Sequence, residues 1–280
     1  MNNPTNTTQP TLEISPGVAM PHIGLGTWPL LGEEATDSIA RGITNGYRHI
    51  DTAHSYGNEE AIGAGLNRSG IDRSELWVTS KLSLPGHSRT GAVDSYDQAL
   101  DRLGLDYLDL FLIHWPNPGH DGYLECAGGL QDLVDAGRLR AWGVSNFKPA
   151  HLDKLLAAGL RPGVNQVQVD PLHQQADQLE HHRKLSLPTA AYSPLGRAGD
   201  FLADPAITAP AAAHGKTPAQ VVLRWHLDSG RAAVPKSASD ERQRENLDVF
   251  DFTLEAAELA AINALDTGAG PRLDSDEYGH

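Results

Sequence analysis

The stretch RHIDTAHSYGNEEAIGAGLNRSGIDRSELWVTSKL, residues 48–82, contains two short β-type runs separated by a helical pattern. The runs are residues 48–53 and 76–82, and Gly70 is a stop signal for the helix between them. The residues Gly63-Ala64-Gly65 lie inside the helical pattern, where we expect them to serve packing. Strands that alternate with helices are typical of βαβ units. The stretch therefore predicts a parallel sheet covered by helices.

The same alternation of strand and helix recurs along the chain. Thr217 and Pro218 form the start signal of a later helix, and Gly230 ends it. The β-type runs are residues 23–27, 48–53, 76–82, 108–115, 141–147, 164–170, 188–194 and 232–237. These runs favour an α/β fold, a closed (β/α)8 TIM barrel with large loops at its C-terminal rim, over an open doubly wound sheet. Residues 12–14 and 20–23 flank a Ser-Pro-Gly turn and predict a short N-terminal hairpin.

Length and composition are those of one domain spanning residues 1–280, with residues 1–10 expected to be disordered. The apolar runs are too short for a membrane span, and the first residues do not have the pattern of a signal peptide. The single cysteine, Cys126, excludes an intrachain disulfide and suits a reducing compartment. The net charge of −14 opposes binding to nucleic acid or to an anionic membrane surface. We therefore expect a cytoplasmic protein with a small-molecule partner.

Polar residues mark the end of nearly every predicted strand. They are Thr27, Asp51, Lys81, His114, Ser145, Asn146, Gln166, Tyr192, Ser193, Lys236 and Ser237. Since barrel active sites lie at the C-terminal ends of the strands, these side chains predict a site on that rim.

Four residues at the ends of the second to fourth strands suit the reduction of a carbonyl, whose oxygen gains negative charge and needs a proton. Tyr56 is the candidate acid, and Lys81, held by Asp51, is expected to lower its pKa. His114 could hydrogen-bond the substrate oxygen. The alternative for Asp51 and Lys81 is a purely structural ion pair.

Several motifs carry a family resemblance. They are GYRHIDTA (46–53), YGNE (56–59), TSKL (79–82), LIHWP (112–116), GVSNF (143–147) and PKS (235–237). With them the chain resembles the aldo-keto reductase superfamily, in particular bacterial reductases of the 2,5-diketo-gluconate type. The resemblance implies that Asp51, Tyr56, Lys81 and His114 are catalytic, that the protein reduces carbonyls to alcohols and that it is a monomer.

The resemblance also implies NADPH as the cofactor, and no Gly-x-Gly-x-x-Gly follows a first strand to hold a dinucleotide in the Rossmann manner. Lys236, Ser237 and Arg242 match the clamp on the 2′-phosphate, although Arg242 could instead be on a solvated helix face. The remaining residues that match the cofactor site are Thr27, Trp28, Asp51, Ser145, Asn146, Gln166, Tyr192, Ser193, Leu195, Gly196, Glu245 and Asn246.

The resemblance implies that Trp28, Tyr56, His114 and Trp115 wall the substrate pocket. The chain departs from the family pattern at Ser83, Ala127, Gln168 and Asp170, and residues 271–280 lack the aromatic residue often found in that tail. Loss of bulk at Ser83 and Ala127 predicts a pocket that is open on one side.

Because we find no free cation at the pocket, we expect small uncharged aldehydes and α-dicarbonyls as substrates. Keto-sugar acids are the alternative, with a cation from the loop after Trp115, from Arg197 or from Arg272. No metal site is expected, since His181 and His182 lack ligand spacing and are predicted to be surface residues. A non-catalytic NADPH-binding redox sensor remains the alternative function, and a phosphate-binding barrel isomerase or aldolase is a weaker one.

Overall fold

The computed structural model describes residues 9–117, 119, 121–197, 199–266, 268 and 273–280. Most of the segment predicted to be disordered, residues 1–8, lies outside this range, as does Arg272. Two residues of the loop after Trp115, at positions 118 and 120, are also outside it.

The sheet predicted from the strand–helix alternation is present and closes into a barrel. Its parallel strands, in spatial and chain order, are β3 (Leu25–Gly26), β4 (His49–Asp51), β5 (Trp77–Leu82), β6 (Leu110–Ile113), β7 (Ala141–Ser145), β8 (Asn165–Gln168), β9 (Thr189–Tyr192) and β10 (Ala232–Val234). The ends of the sheet meet where Gly24 N–H donates to the Ala233 carbonyl at 2.9 Å and Gly26 bridges to Lys236. Each strand is shorter than its predicted run, and Asp51, Lys81, Ser145, Gln166 and Tyr192 lie within the paired strands.

Helices cover the outside of the barrel. They are α1 (Gly32–Thr44), α2 (Glu59–Ser69), α3 (Arg89–Leu103), α4 (Gly122–Asp135), α5 (Pro149–Ala157), α6 (Ala176–Leu185), α7 (Pro205–His214), α8 (Pro218–Asp228), α9 (Asp240–Leu247) and α10 (Ala256–Asn263). The start signal at Thr217 is a capping box: Gln220 N–H donates to the Thr217 hydroxyl, and Thr217 N–H donates to Gln220 Oε1. Within the described ranges, no helix has the length and apolar character needed to cross a membrane.

The glycines of α2 are packing residues, as predicted. A Cβ at Gly63 would overlap the Leu103 carbonyl of α3, and a Cβ at Gly65 would lie 2.7 Å from the Thr36 carbonyl of α1. Their small size therefore lets three helices pack closely beside the strands that carry the rim residues.

The predicted N-terminal hairpin consists of antiparallel strands β1 (Thr11–Ser15) and β2 (Val18–Pro21). Ile14 and Met20 from the hairpin pack with Trp77 and Leu110, which are the first residues of β5 and β6. The hairpin thus covers the N-terminal end of the barrel, and the opposite rim is left for a site.

The expectation that both His181 and His182 are surface residues is wrong for His182. Its side chain is buried, with Nε2 2.9 Å from Asn165 Nδ2 and Nδ1 2.9 Å from Thr189 Oγ1. The helical periodicity of α6 turns this histidine toward the barrel, whereas His181 pairs with Asp153 at 3.0 Å.

Candidate active site

The centre of the rim is a buried ion pair between neighbouring strands. Lys81 Nζ, near the end of β5, lies 2.5 Å from Asp51 Oδ1 at the end of β4, and it also donates to the Thr52 carbonyl at 2.9 Å. Burial lowers the pKa of Lys81, but the charge of Asp51 and contacts with Asp51 and Tyr56 outweigh it and leave the pKa raised. Lys81 is therefore a fixed cation inside the rim.

Gln166 holds the other oxygen of the same carboxylate. It projects from β8 and donates from Nε2 to Asp51 Oδ2 at 2.7 Å. The sequence predicted both residues at the rim but not this bond, because it joins strands far apart in the chain. With both oxygens held, Asp51 is a rigid anchor for Lys81.

Tyr56 is placed by a single 3₁₀ turn, His54–Tyr56, which ends at Gly57 with a left-handed φ of 63°. Lys81 Nζ lies 5.3 Å from the centre of the Tyr56 ring. Burial raises the pKa of Tyr56, while Lys81 opposes that shift through its charge and a hydrogen bond, and the pKa remains raised. The expected net lowering is therefore wrong in this structure, since desolvation exceeds the effect of the cation.

His114 follows β6 and faces Tyr56 edge-on, with 5.8 Å between the ring centres. Burial first, and then Lys81 and His280, keep its pKa well below the ordinary value. The imidazole is accordingly neutral at physiological pH. The Nδ1 atom lies 3.3 Å from Ser55 Oγ and 3.3 Å from His280 Nε2.

The tail covers one side of the site, which the sequence did not predict. The Tyr278 ring packs edge-on against Trp115 at 4.8 Å, and the His280 ring packs against His114 at 4.6 Å. The His280 carbonyl accepts a hydrogen bond from Leu84 N–H at 3.0 Å. The expectation that the tail lacks an aromatic residue is therefore wrong, because Tyr278 supplies one.

The predicted open side is also wrong. Ser83 is buried beside the segment that binds the tail, and Ala127 is buried within α4 in the core. Gly279 lies so close to Asn117 that a Cβ would overlap its side chain. The tail is therefore bonded to the residue next to Ser83, and the buried Ala127 is part of the core.

Three residues meet on another part of the rim, where β7 and β9 end. Asn146, with a left-handed φ of 63°, donates from Nδ2 to the His114 carbonyl at 3.1 Å. It accepts a bond from the Tyr192 hydroxyl at 2.9 Å, and Ser145 Oγ donates to the Gln166 carbonyl at 2.8 Å. Ser145, Asn146, Gln166 and Tyr192, which the family resemblance matches to the cofactor site, are therefore brought together and preorganised. Ser193, Leu195 and Gly196 lie in the next turn, in which Gly196 N–H donates a hydrogen bond to the Ser193 carbonyl at 2.9 Å.

A polar network fixes the loop after β3. Thr27 Oγ1 donates to Thr52 Oγ1 at 3.0 Å, and Thr52 Oγ1 donates to Asn58 Oδ1 at 2.8 Å. Asn58 in turn donates to the Leu30 carbonyl at 2.9 Å. Sequence reasoning missed Thr52 and Asn58, although both lie within the motifs at 46–53 and 56–59. The network holds the backbone beside Trp28, which is 47 % exposed at the rim.

Two cations without an ion pair among the described residues lie near the start of α9. Lys236 and Arg242 are exposed, and neither forms an ion pair in the described part of the chain, whereas Arg244 pairs with Asp240 at 3.1 Å. Free cations in a chain of net charge −14 suit an anionic ligand at a helix N-terminus. Of the other residues predicted for this end, Ser237 and Asn246 are buried and Glu245 is partly exposed.

Arg197 is a third cation, and it reaches the substrate side of the rim. Its guanidinium lies 4.9 Å from the centre of the Trp28 ring, a cation–π contact. The expectation that no free cation lies at the pocket is therefore wrong, and this cation is one of those named for the keto-acid alternative. By contrast, the changed residue Asp170 serves its own loop, pairing with His173 at 2.9 Å and accepting from Gln168 Nε2 at 3.3 Å.

Comparisons with known proteins agree with this geometry. Residues 22–267 match the model of the Aldo/keto reductase family. The chain is 43 % identical over 260 residues to 2,5-diketo-D-gluconic acid reductase B of Corynebacterium sp., covering 92 % of this chain and 94 % of that protein. It is 43 % identical over 272 residues to morphine 6-dehydrogenase of Pseudomonas putida, covering 92 % of each.

A solved structure has the same fold and carries a nucleotide. The aldo-keto reductase of Bombyx mori in complex with NADP matches with a TM-score of 0.88 at 34 % identity, covering 94 % of this chain and 95 % of that one.

Proposed function

The chain belongs to the aldo/keto reductase family, and from this premise we propose that it is an NADPH-dependent reductase of small carbonyl compounds. One observation carries the proposal: Lys81 lies between Asp51 and Tyr56 on a rim that His114 completes. The test is a screen of aldehydes, ketones and α-dicarbonyls with NADPH and with NADH, followed by the loss of absorbance of the reduced nicotinamide. We expect turnover with several neutral carbonyls. A complete absence of turnover with every carbonyl tested would refute the proposal.

The residues present fit such a cofactor. Lys236 and Arg242 are cations without an ion pair in the described ranges, and Asn146 and Tyr192 are oriented by their mutual hydrogen bond where β7 and β9 end. In our proposal the first two hold the 2′-phosphate, and Asn146 with Gln166 binds the amide of the nicotinamide. When bound, a reduced nicotinamide supplies a hydride to the carbonyl carbon.

The proton has a source in the chain itself. Tyr56 is protonated at neutral pH because its pKa is raised, so it can donate to the developing alkoxide. Lys81 stabilises the tyrosinate left behind. His114, neutral and engaged through Nδ1, keeps Nε2 for a hydrogen bond to the substrate oxygen. Asp51 and Gln166 act as positioning residues for Lys81.

For cofactor choice, we expect Arg242→Ala to weaken NADPH binding by about tenfold or more, because a charge-assisted bond to the 2′-phosphate is lost. NADH binding should change little. Titration of each nucleotide against tryptophan fluorescence measures both affinities. Arg244→Ala is the matched control, since this arginine shares the helix but pairs with Asp240. Equal losses of NADPH and NADH affinity in Arg242→Ala would refute the assignment.

We propose neutral α-dicarbonyls, such as aryl-glyoxals, as the preferred substrates. Aromatic side chains lie at this rim: Trp115 stacks beside His114 and packs against Tyr278, and Trp28 carries the Arg197 guanidinium on its ring. Lys81 is committed to Asp51, and Lys148, near the tail, pairs with Asp274 and Asp276. A buried carboxylate would therefore find few partners, and burying an unpaired charge is costly.

One observation favours a second candidate, a keto-acid substrate. Arg197 is exposed and stacked on Trp28, where it could pair with a carboxylate. The relative that acts on 2,5-diketo-D-gluconic acid is consistent with this candidate. The two candidates differ in whether Arg197 contributes to substrate binding.

For the choice between them, we expect wild type to give a kcat/KM for phenylglyoxal at least equal to that for phenylglyoxylate, because an aromatic pocket favours the uncharged compound. Arg197→Ala should then leave the ratio unchanged. The opposite result is a kcat/KM at least tenfold higher for the acid, about 1.4 kcal/mol, and loss of that preference in Arg197→Ala. It would favour the keto-acid candidate over the neutral dicarbonyls.

A further inference from the structure

A second pocket lies at the end of the barrel opposite the candidate active site. It has a volume of about 380 Å³ and is bordered by α6, the first residue of β9 and the turn between α8 and β10. Small-molecule sites typically measure about 300–1,000 Å³. Its walls combine apolar side chains, including Leu179, Leu187 and Pro188, with the polar side chains of His182, Thr189 and Arg231.

Arg231 is the unusual member of this wall. It is only 9 % exposed, and its Nε donates to His226 Nδ1 at 3.2 Å while the guanidinium stacks on Trp225 at 4.3 Å. Neither of its terminal nitrogens has a hydrogen-bond partner among the described residues; Nη2 is closed off by burial, so Nη1 is the donor that a ligand in the pocket can reach. Burial lowers the pKa of Arg231 to about 10, so the group stays charged at neutral pH.

The carboxylate of the same pocket does not neutralise Arg231. Glu180 accepts two hydrogen bonds from Arg183, at 2.7 and 2.8 Å, and lies 3.7 Å from Lys184. Arg231 forms no ion pair with any residue that the structure describes, whereas the buried Lys81 is matched by Asp51. A buried cation without a counter-ion is costly to fold, so an external anion would be stabilising.

The histidine of the wall does not compete for that anion. Both ring nitrogens of His182 are engaged, with Asn165 and Thr189, and burial lowers its pKa to about 4. It is therefore neutral at physiological pH and serves to shape the wall. The positive charge inside the pocket belongs to Arg231.

We propose that this pocket binds a small organic anion, with its carboxylate or phosphoryl group on the Arg231 guanidinium and its apolar body against Leu179, Leu187 and Pro188. The guanidinium presents a planar set of donors that suits either group. The site shares no residue with the carbonyl-reducing rim, and it stands independently of the proposed function.

The test measures thermal unfolding of the full chain saturated with NADPH, at constant ionic strength, with added benzoate, benzamide or inorganic phosphate. If NADPH binds as proposed, its presence keeps phosphate away from Lys236 and Arg242; if it does not, the Arg231→Met variant described below still separates the two sites. A ligand that binds only the folded state raises Tm in proportion to its affinity. We expect benzoate or phosphate to raise Tm and benzamide, the uncharged counterpart of benzoate, to have no effect. Benzoate alone would identify a carboxylate site, and phosphate alone a phosphoryl site.

Two variants assign the effect to the pocket. Arg231→Met keeps an apolar side chain against Trp225 and should weaken binding of the active anion by at least about tenfold. Without anion the variant gains stability from the removal of an unpaired buried charge and loses stability because His226 Nδ1 has no donor, so its own Tm without anion is the baseline for its binding measurement. Arg183→Met, which removes the exposed cation at the pocket edge, should retain binding.

The proposal is overturned if neither anion raises the Tm of wild type, or if Arg231→Met keeps the full effect. Should Arg231→Met fail to fold, the indole N–H signal of Trp225 in the wild type gives the answer by NMR, with Trp225→Phe for its assignment. That signal should shift with benzoate or phosphate and not with benzamide, and an unchanged signal would likewise overturn the proposal.

Discussion

Replacement of Tyr56 by Phe is expected to lower kcat for carbonyl reduction by about 10²–10⁴-fold while NADPH affinity stays close to that of wild type. The variant removes the proton donor but keeps the ring that Lys81 and His114 contact. Steady-state kinetics and nucleotide titration measure the two effects separately. Tyr107→Phe is the control, since this tyrosine lies away from the rim and its hydroxyl contacts the Arg73 carbonyl at 3.4 Å.

The pH profile gives this first prediction a further readout. Reduction needs protonated Tyr56, whose pKa is raised, so kcat should stay level through neutral pH and fall only at strongly alkaline pH. No step is expected near the ordinary pKa of histidine, because His114 is already neutral there. Near-normal turnover in Tyr56→Phe would show that another group donates the proton.

Lys81→Met is expected to be as harmful to kcat as Tyr56→Phe, and it should also destabilise the fold. Without the cation the pKa of Tyr56 rises further, and the tyrosinate formed by proton transfer has no partner. The loss also leaves the Asp51 carboxylate buried without its ion pair, which typically costs about 3–5 kcal/mol. Chemical denaturation and single-turnover kinetics measure the two losses.

A double variant separates the two roles of Lys81. In Lys81→Met with Asp51→Asn, no unpaired charge is left in the rim, and Gln166 can still donate to the side-chain amide oxygen at position 51. We expect much of the lost stability to return, while kcat stays low because the cation beside Tyr56 is missing. If activity returned together with stability, the role of Lys81 would be structural only.

The rim could be predicted from sequence because the C-terminal ends of all strands of a parallel barrel meet at one rim, so residues at those ends lie close together. Asp51 ends β4, His114 follows β6, and Lys81 and Gln166 lie within β5 and β8; parallel strands bring this side of the barrel together. The bonds between them could not be predicted. The contact of Gln166 with Asp51 depends on barrel closure and on rotamers, which local pattern does not encode.

The tail and the second pocket show why other features escaped prediction. Tyr278 and His280 belong to no periodic element, and they reach Trp115 and His114 only because the chain returns across the rim. Arg231 immediately precedes β10 and has no charged partner in the described ranges to mark it. Desolvation, which raises the pKa of Tyr56 despite Lys81, is likewise a property of the assembled site.

The most direct test of hydride transfer at this rim uses NADPH deuterated at the transferable position of nicotinamide C4, with phenylglyoxal as the carbonyl. We expect an alcohol that carries the deuterium on the former carbonyl carbon, formed in equal amount to the nucleotide oxidised, and an almost complete loss of product in Tyr56→Phe. Tight NADPH binding with no labelled alcohol from any carbonyl tested would contradict catalysis and would instead favour a protein that senses the redox state of the cofactor.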